Sequence, residues 1–130
     1  MKKVIKTDLE WRELLTPEAF SVMRQHGTER AFSNDSFPNN KGIYCCVGCG
    51  SKLFTSDCKY DSGSGWPSFY QPINNEVIKE SIDNSWSMRR TEAICSQCDG
   101  HLGHIFSDGP QPTGLRYCIN GVALDFQEKE

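Results

Sequence analysis

The sequence predicts a mainly β protein with antiparallel sheets and a short helical arm at its N-terminus. A helical pattern with start and stop signals ends near residue 27, short apolar segments separated by Gly, Pro, Asn and Asp follow from residue 41, and two CxxC pairs lie within that region. The chain has 130 residues and 37% hydrophobic content, enough for one core and short for two. We expect a single domain over residues 1–130, with the helical arm at about 8–27 and the β region at about 41–126.

The clearest helix lies in LLTPEAFSVMRQHG, residues 14–27. Thr16 suits an N-cap, and Pro17 suits the first helical position because its missing N–H would be unpaired there anyway. Gly27 suits the position at the end of a helix where the backbone is left-handed. Leu15 and Phe20 occupy the two positions of a hydrophobic staple. We expect this arm to pack against the sheets and to take no direct part in function.

Seven later segments have the composition of strands. Apolar alternation with period two is plainest at Val122, Leu124 and Phe126. Short strands with turn residues between them are typical of antiparallel sheets. The predicted strands are GIYCCV (42–47), KLFTS (52–56), EVIKESI (76–82), SWSMRR (85–90), HLGHIF (101–106), LRYCI (115–119) and GVALDF (121–126).

Charge and hydropathy exclude several classes of function. The formal net charge is -3 and the basic residues are scattered, which argues against nucleic-acid binding. No segment approaches the roughly 20 apolar residues of a membrane span, and MKKVIKTDLEWREL has no apolar core of a secretory signal. We expect a cytoplasmic monomer that binds neither nucleic acid nor membrane.

Four of the seven cysteines form two CxxC pairs, Cys46 with Cys49 and Cys95 with Cys98. Two such pairs match the four thiolates of a closed, tetrahedral structural zinc site. Because the pairs lie far apart in the chain, the metal would tie together the two ends of the segment between them. The alternative is redox use of the CxxC pairs. Neither pair begins a clear helix in a βαβ setting, however, which is what lowers the thiol pKa in thioredoxin-like motifs.

The remaining cysteines are Cys45, Cys58 and Cys118. Cys118 stands in LRYCING between Arg116 and Asn120, each two positions away and therefore on the same face of an extended strand. A nearby cation favours the thiolate, which is the reactive form. From this segment alone, the alternative is that Cys118 is a small buried residue.

Two further segments favour a reactive site. HLGHIF places His101 and His104 directly after the second CxxC pair, and histidine is the usual proton donor near neutral pH. One of the two can still be structural. SGSGWPSFY, residues 62–70, joins a glycine-rich turn to Trp66, which suits either a rigid aromatic pocket wall or a packed turn.

Taken together, CVGC, YDSGSGWPSFY, CSQCDGHLGHIF, DGPQPTG and RYCIN resemble the B-type methionine sulfoxide reductases, which reduce the R epimer of methionine sulfoxide. LTPEAFSVMRQHGTE resembles the start of that family's domain, so the resemblance covers about Leu15 to Phe126. It implies a zinc-tied β-barrel or tent-like domain. It also implies activity on oxidised proteins, and on free methionine sulfoxide as a further substrate, with recycling by thioredoxin or another thiol reductant.

The resemblance also assigns roles to site residues. Cys118 would attack the sulfoxide sulfur and become a sulfenic acid as methionine leaves. His101 and His104 would polarise or protonate the sulfoxide oxygen. Arg116 and Asn120 would contact the thiolate and the substrate. Trp66 would contact the methyl group of the substrate, and Phe106 would belong to the same wall of the pocket.

One departure from the family concerns recycling. Many members carry a cysteine where this chain has Ser64, and that cysteine resolves the sulfenic acid as a disulfide. A serine cannot do this. Cys58, Cys45 or an outside reductant would have to act instead. A smaller departure is Gly121, where the family more often has serine.

The chief rival is a non-enzymatic zinc-binding β module that recognises a partner through the GWPSF surface. It explains both CxxC pairs and the aromatic residues. It gives no reason for RYCIN and HLGH to occur together, so we favour the reductase.

Overall fold

The computed structural model describes residues 3–33, 37, 40–84 and 89–128. Within these residues the chain forms two short helices and nine strands, so the prediction of a mainly antiparallel β protein is confirmed. None of the described helices has the length and apolar character needed to cross a membrane. The organisation as one domain over residues 1–130 stays a prediction.

The strands form two antiparallel sheets. A three-stranded sheet has the order β2-β1-β9 and a six-stranded sheet has the order β3-β4-β8-β7-β6-β5. The strands are β1 (Gly42–Cys46), β2 (Lys52–Thr55), β3 (Lys59–Tyr60), β4 (Ser68–Phe69), β5 (Ile78–Asp83), β6 (Arg90–Cys95), β7 (His101–Phe106), β8 (Arg116–Ile119) and β9 (Leu124–Glu128).

The arm contains α1 (Asp8–Leu14) and α2 (Pro17–Gln25). Thr16 caps α2 through its hydroxyl, which accepts the N–H of Ala19, and Pro17 is the first helical residue as predicted. The prediction that Gly27 ends the helix in the left-handed region is wrong, because His26 adopts that conformation with φ of 55°. Histidine tolerates it better than branched residues do, and here the ring gains a contact with Glu92.

Two predicted strands need correction. GVALDF begins as a 3-10 turn at Gly121–Ala123, and its strand starts only at Leu124. The N–H groups of Gly121 and Val122 are bonded to the Glu29 carboxylate instead of a neighbouring strand. In SWSMRR, residues 85–88 lie outside the described residues. The strand there begins at Arg90 and continues through RTEAIC, which was not predicted.

An aromatic cluster fills the core. Phe54 and Phe69 stack with their ring centroids 4.2 Å apart, and both are fully buried. Tyr44 lies 5.1 Å from Phe69 and 4.8 Å from Phe126. Because these rings come from strands of both sheets, their burial fixes one sheet against the other.

Candidate active site

The pairing of β8 with its two neighbours brings the predicted site residues together. Cys118 is opposite His104 on β7 and opposite Ser68 on β4. Directly paired residues project to the same face of a sheet, so these side chains form one row. Gly103 makes the close approach possible, because a β-carbon there would overlap the carbonyl oxygen of Cys118.

A pocket of about 420 Å³ lies over this row. Six of the residues predicted from sequence line it: Trp66, His104, Phe106, Arg116, Cys118 and Asn120. Thr28, Ser64, Arg90 and Gly103 complete the lining. His101, Cys58 and Cys45 are not among the lining residues.

Opposing influences act on the Cys118 thiol. Burial raises its pKa, whereas the nearby charge of Arg116 and hydrogen bonds from Ser64 and Arg116 lower it. Burial is the larger influence, so the pKa lies above the ordinary value of a thiol. The thiol therefore keeps its proton at neutral pH in the substrate-free protein, and its reaction requires that the proton be moved.

The guanidinium of Arg116 is held by two groups. Its nitrogens lie 2.9 and 3.3 Å from the carboxylate oxygens of Asp108, and its carbon lies 4.3 Å from the centroid of the Phe106 ring. The hydrogen bond with Asp108 raises the pKa of Arg116 and lowers that of the carboxyl. A fixed, permanently charged cation is thus directed toward Cys118.

The two histidines occupy different positions. Residues three apart normally face opposite sides of a strand, but a bulge opposite Ala93 and Ile94 inserts Leu102 as an extra residue. The rings of His101 and His104 consequently lie 5.4 Å apart. His104 lines the pocket, whereas His101 is only 4% exposed and lies behind it.

Each histidine hydrogen-bonds to a carboxylate. Nε2 of His104 lies 2.7 Å from Asp83, and Nδ1 of His101 lies 2.6 Å from Glu92. Burial lowers the pKa of His101, and the bond to Glu92 opposes this effect. These partners fix the orientation of both rings.

Thr28 and Glu29, which follow the helical arm, reach the opposite wall of the pocket. The carbonyl of Glu29 accepts the indole N–H of Trp66 at 3.2 Å, and its N–H donates to the side-chain oxygen of Asn120 at 3.0 Å. The hydroxyl of Thr28 lies 3.2 Å from the same oxygen. Thr28 lies just beyond the predicted arm, which ends near residue 27, and it lines the pocket. No residue of the arm lines the pocket, so the expectation that the arm only packs against the sheets stays a prediction.

Sequence reasoning missed several residues around the site, namely Thr28, Glu29, Asp83, Arg90 and Glu92. The only local signal was GTE directly after α2, where polar residues follow a helix end. Asp83 and Glu92 become partners of the histidines through the pairing of β5, β6 and β7, which no local pattern indicates.

The two candidate resolving cysteines lie away from the pocket. Cys58 ends a 3-10 turn just before β3, which is two strands from β8 in the sheet, a lateral distance of about 10 Å. A disulfide needs α-carbons within about 7 Å. Cys45 is buried in β1 of the other sheet, beside Cys46. Either cysteine would have to move to reach Cys118.

The four cysteines of the CxxC pairs form one cluster. Their sulfur atoms all lie within 4.8 Å of one another. The sulfurs approach across the pairs, with Cys46 at 3.7 Å from Cys98 and Cys49 at 3.6 Å from Cys95. Tetrahedral zinc with bonds of about 2.3 Å requires sulfurs about 3.8 Å apart. The donor set fits a closed structural zinc ion, and this interleaved arrangement does not suit two separate redox pairs.

The turns that carry these cysteines have the same local structure. Gly50 donates its N–H to the carbonyl of Cys46 at 2.8 Å, and Asp99 donates to that of Cys95 at 2.9 Å. Both donors have left-handed backbones, with φ of 80° and 62°. Each turn therefore folds its two sulfurs to one side. With its four positions filled by thiolates, zinc would stabilise the fold and leave no position for water.

Alkylation of Cys118 tests the electrostatics of the pocket. Arg116→Gln removes the charge that opposes burial, so the pKa of Cys118 should rise further and alkylation by iodoacetamide near neutral pH should slow. The rate is measured across a pH series by mass spectrometry of the Cys118 peptide. Arg12→Gln is the control, because that guanidinium lies over Phe20 outside the pocket. Equal rates of Cys118 alkylation in Arg116→Gln and the unmodified chain would contradict the role of Arg116 in lowering the pKa of Cys118.

Metal removal tests the cysteine cluster. The protein is expected to carry zinc, and Cys95→Ser or a strong chelator should unfold it, because structural zinc in small domains supplies on the order of 10 kcal/mol. Metal content and thermal unfolding are the measurements. Cys45→Ser should retain zinc, since its sulfur is outside the cluster. A metal-free protein with unchanged stability would rule out the structural role.

Comparison with known proteins identifies the family of this chain. The sequence pattern described as the SelR domain matches residues 15–128. Three similar relatives are each named Peptide methionine sulfoxide reductase MsrB. The protein from Leptospira interrogans serogroup Icterohaemorrhagiae serovar Lai is 55% identical over 98% of this chain and 98% of its own length. The one from Methanosarcina mazei is 52% identical over 98% and 92%, and the one from Hahella chejuensis is 54% identical over 100% and 94%. This chain therefore belongs to the SelR domain family of peptide methionine sulfoxide reductases.

Proposed function

We propose that this protein reduces the R epimer of methionine sulfoxide to methionine, in oxidised proteins and as the free amino acid. Membership of the SelR domain family supports this function. The observation that carries it is the position of Cys118 in a pocket between a charged arginine, a histidine and the indole of Trp66.

Cys118 is the proposed nucleophile. Its sulfur attacks the sulfoxide sulfur and forms an S–S bond. The S–O bond of the sulfoxide and the new S–S bond then break, so that the oxygen ends on Cys118 as a sulfenic acid and methionine leaves. The sulfoxide gains two electrons and the thiol loses two, so the step needs no other oxidant or reductant. The thiol proton is balanced by the proton that the oxygen receives.

His104 is the proposed proton donor, because its ring lines the pocket opposite Cys118. In its doubly protonated form the ring donates one N–H to Asp83 and offers the other to the sulfoxide oxygen. His101 lies behind it and is proposed to support its position. Arg116 and Asn120 orient the thiolate and substrate, and Trp66 with Phe106 receives the methyl group.

We propose that a thiol from outside the chain, with thioredoxin as the protein candidate, attacks the sulfenic acid. Two outside thiols convert it to the Cys118 thiol, a disulfide and water. Ser64 supports this route, because a serine stands where the resemblance to the family places a resolving cysteine, and a serine cannot form a disulfide. The separation of Cys58 and Cys45 from the pocket supports it too.

Steady-state reduction of a peptide containing methionine sulfoxide tests the function. With dithiothreitol as reductant, the protein should reduce the R epimer in strong preference to the S epimer, and Cys118→Ser should abolish turnover because serine cannot form the sulfenic acid. Methionine production is followed by chromatography. Retained activity in Cys118→Ser, or no reduction of either epimer, would refute the proposal.

The same assay with thioredoxin tests the recycling route. Cys58→Ser should turn over at the rate of the unmodified protein, because an outside thiol reaches Cys118 directly. If Cys58→Ser loses turnover with thioredoxin but keeps it with dithiothreitol, Cys58 is an internal resolving cysteine and the proposed route is wrong.

Substitution of Trp66 tests the methyl contact. Trp66→Ala should lower kcat/KM for the R epimer by roughly tenfold, the effect expected for losing an aromatic contact together with its buried area. Cys118 should still be alkylated at the normal rate. Loss of alkylation as well would mean that Trp66 maintains the fold of the pocket and has no separate contact with substrate.

A further inference from the structure

Glu29 is a buried acidic residue, and packing of the core alone gives no reason for a carboxylate at its position. It follows α2, and only 5% of its surface is exposed. Burying a carboxylate is costly unless hydrogen bonds replace its lost water. Its contacts show where that compensation comes from.

The carboxylate accepts two backbone N–H groups directly after the strand of the nucleophile. One oxygen lies 2.9 Å from the N–H of Gly121 and the other lies 2.9 Å from that of Val122. These residues begin the 3-10 turn Gly121–Ala123, and the side chain of Asn120 does not cap that turn. Glu29 therefore caps the turn from a distant part of the chain, through charge-assisted bonds.

The backbone of Glu29 contacts the two walls of the pocket. Its carbonyl accepts the indole N–H of Trp66, and its N–H donates to the side chain of Asn120. Asn120 in turn donates from its amide nitrogen to the carbonyl of Leu102 on β7, at 2.9 Å. One residue thus links the ring proposed to hold the substrate methyl group to the end of the strand that carries the nucleophile.

The charge of Glu29 does not assist the nucleophile. Burial raises the pKa of Cys118, and the carboxylate of Glu29 raises it further. A negative charge here opposes formation of the thiolate, so any benefit of Glu29 to the reaction must come through geometry.

We propose that Glu29 is a positioning residue that fixes the indole of Trp66 relative to Cys118 and thereby sets the preference for one sulfoxide epimer. The inference rests on the proposed reduction of methionine sulfoxide. The two epimers differ in whether the methyl group or the oxygen faces the ring when sulfur faces the thiol. An indole free to shift would discriminate less between them.

The test uses Glu29→Gln, which keeps the shape but offers one acceptor oxygen where the carboxylate offers two. Glu29→Asp, which keeps the charge but is too short to reach both N–H groups, serves if Glu29→Gln does not fold. In either variant kcat/KM for the R epimer should fall by roughly tenfold to a hundredfold, the range for a hydrogen bond to a buried charge. The ratio of R to S activity should fall as well.

Two controls separate positioning from general loss of stability. Glu13→Gln removes an exposed carboxylate from α1 and should behave like the unmodified chain. Val22→Ala destabilises the arm at a buried position of α2 without contacting the pocket, and should lower Tm while keeping the ratio of R to S activity. All activities are measured at a temperature at which each variant is fully folded.

The indole N–H resonance of Trp66, assigned by its absence in Trp66→Phe, gives a readout independent of activity. It should move in the Glu29 variants and stay unchanged in both controls. An unchanged resonance together with an unchanged ratio of R to S activity would overturn the positioning role. If the unmodified protein reduces neither epimer, the proposed function fails, and the resonance still tests the link between Glu29 and Trp66.

Discussion

The cluster of Cys46, Cys49, Cys95 and Cys98 is the constraint on which the rest of the structure depends. It joins the turn between β1 and β2 of one sheet to the turn between β6 and β7 of the other. Strand β7 starts three residues after the last ligand and carries Gly103 and His104 against the nucleophile strand. Strand β1 pairs with β9, which follows the turn after the nucleophile. The strand beside Cys118 and the strand after it are therefore both anchored by one metal site, and the aromatic core between the sheets then fixes their spacing.

The pocket built on this frame raises the pKa of its thiol. Burial raises the pKa of Cys118 more than Arg116 and the hydroxyl of Ser64 lower it. Attack on a sulfoxide must therefore be coupled to proton transfer, because the sulfoxide oxygen needs a proton and the thiol must lose one. The hydrogen bond between His104 and Asp83 orients the imidazole that is proposed to donate the proton to the sulfoxide oxygen. His104 and Cys118 belong to one row of side chains across paired strands.

Local patterns in the sequence were sufficient for much of this account. The CxxC spacing predicted the cysteine cluster, and Thr16 followed by Pro17 predicted the start of α2. The residues that escaped prediction act over long separations. Glu29 contacts Gly121, and the carboxylates of β5 and β6 meet the histidines only through strand register. The approach of the two histidine rings depends on a bulge, and the 3-10 turn at Gly121 depends on the carboxylate of Glu29, so neither feature is encoded within its own segment.

A single turnover without reductant tests the central claim most directly. The protein is mixed with excess R-epimer sulfoxide, the methionine released per chain is counted, and the Cys118 peptide is examined by mass spectrometry for loss of its free thiol. We expect roughly one methionine per chain, in step with oxidation of Cys118 and with the other thiols intact. Methionine release from Cys118→Ser, or release that leaves the Cys118 thiol unoxidised, would contradict it.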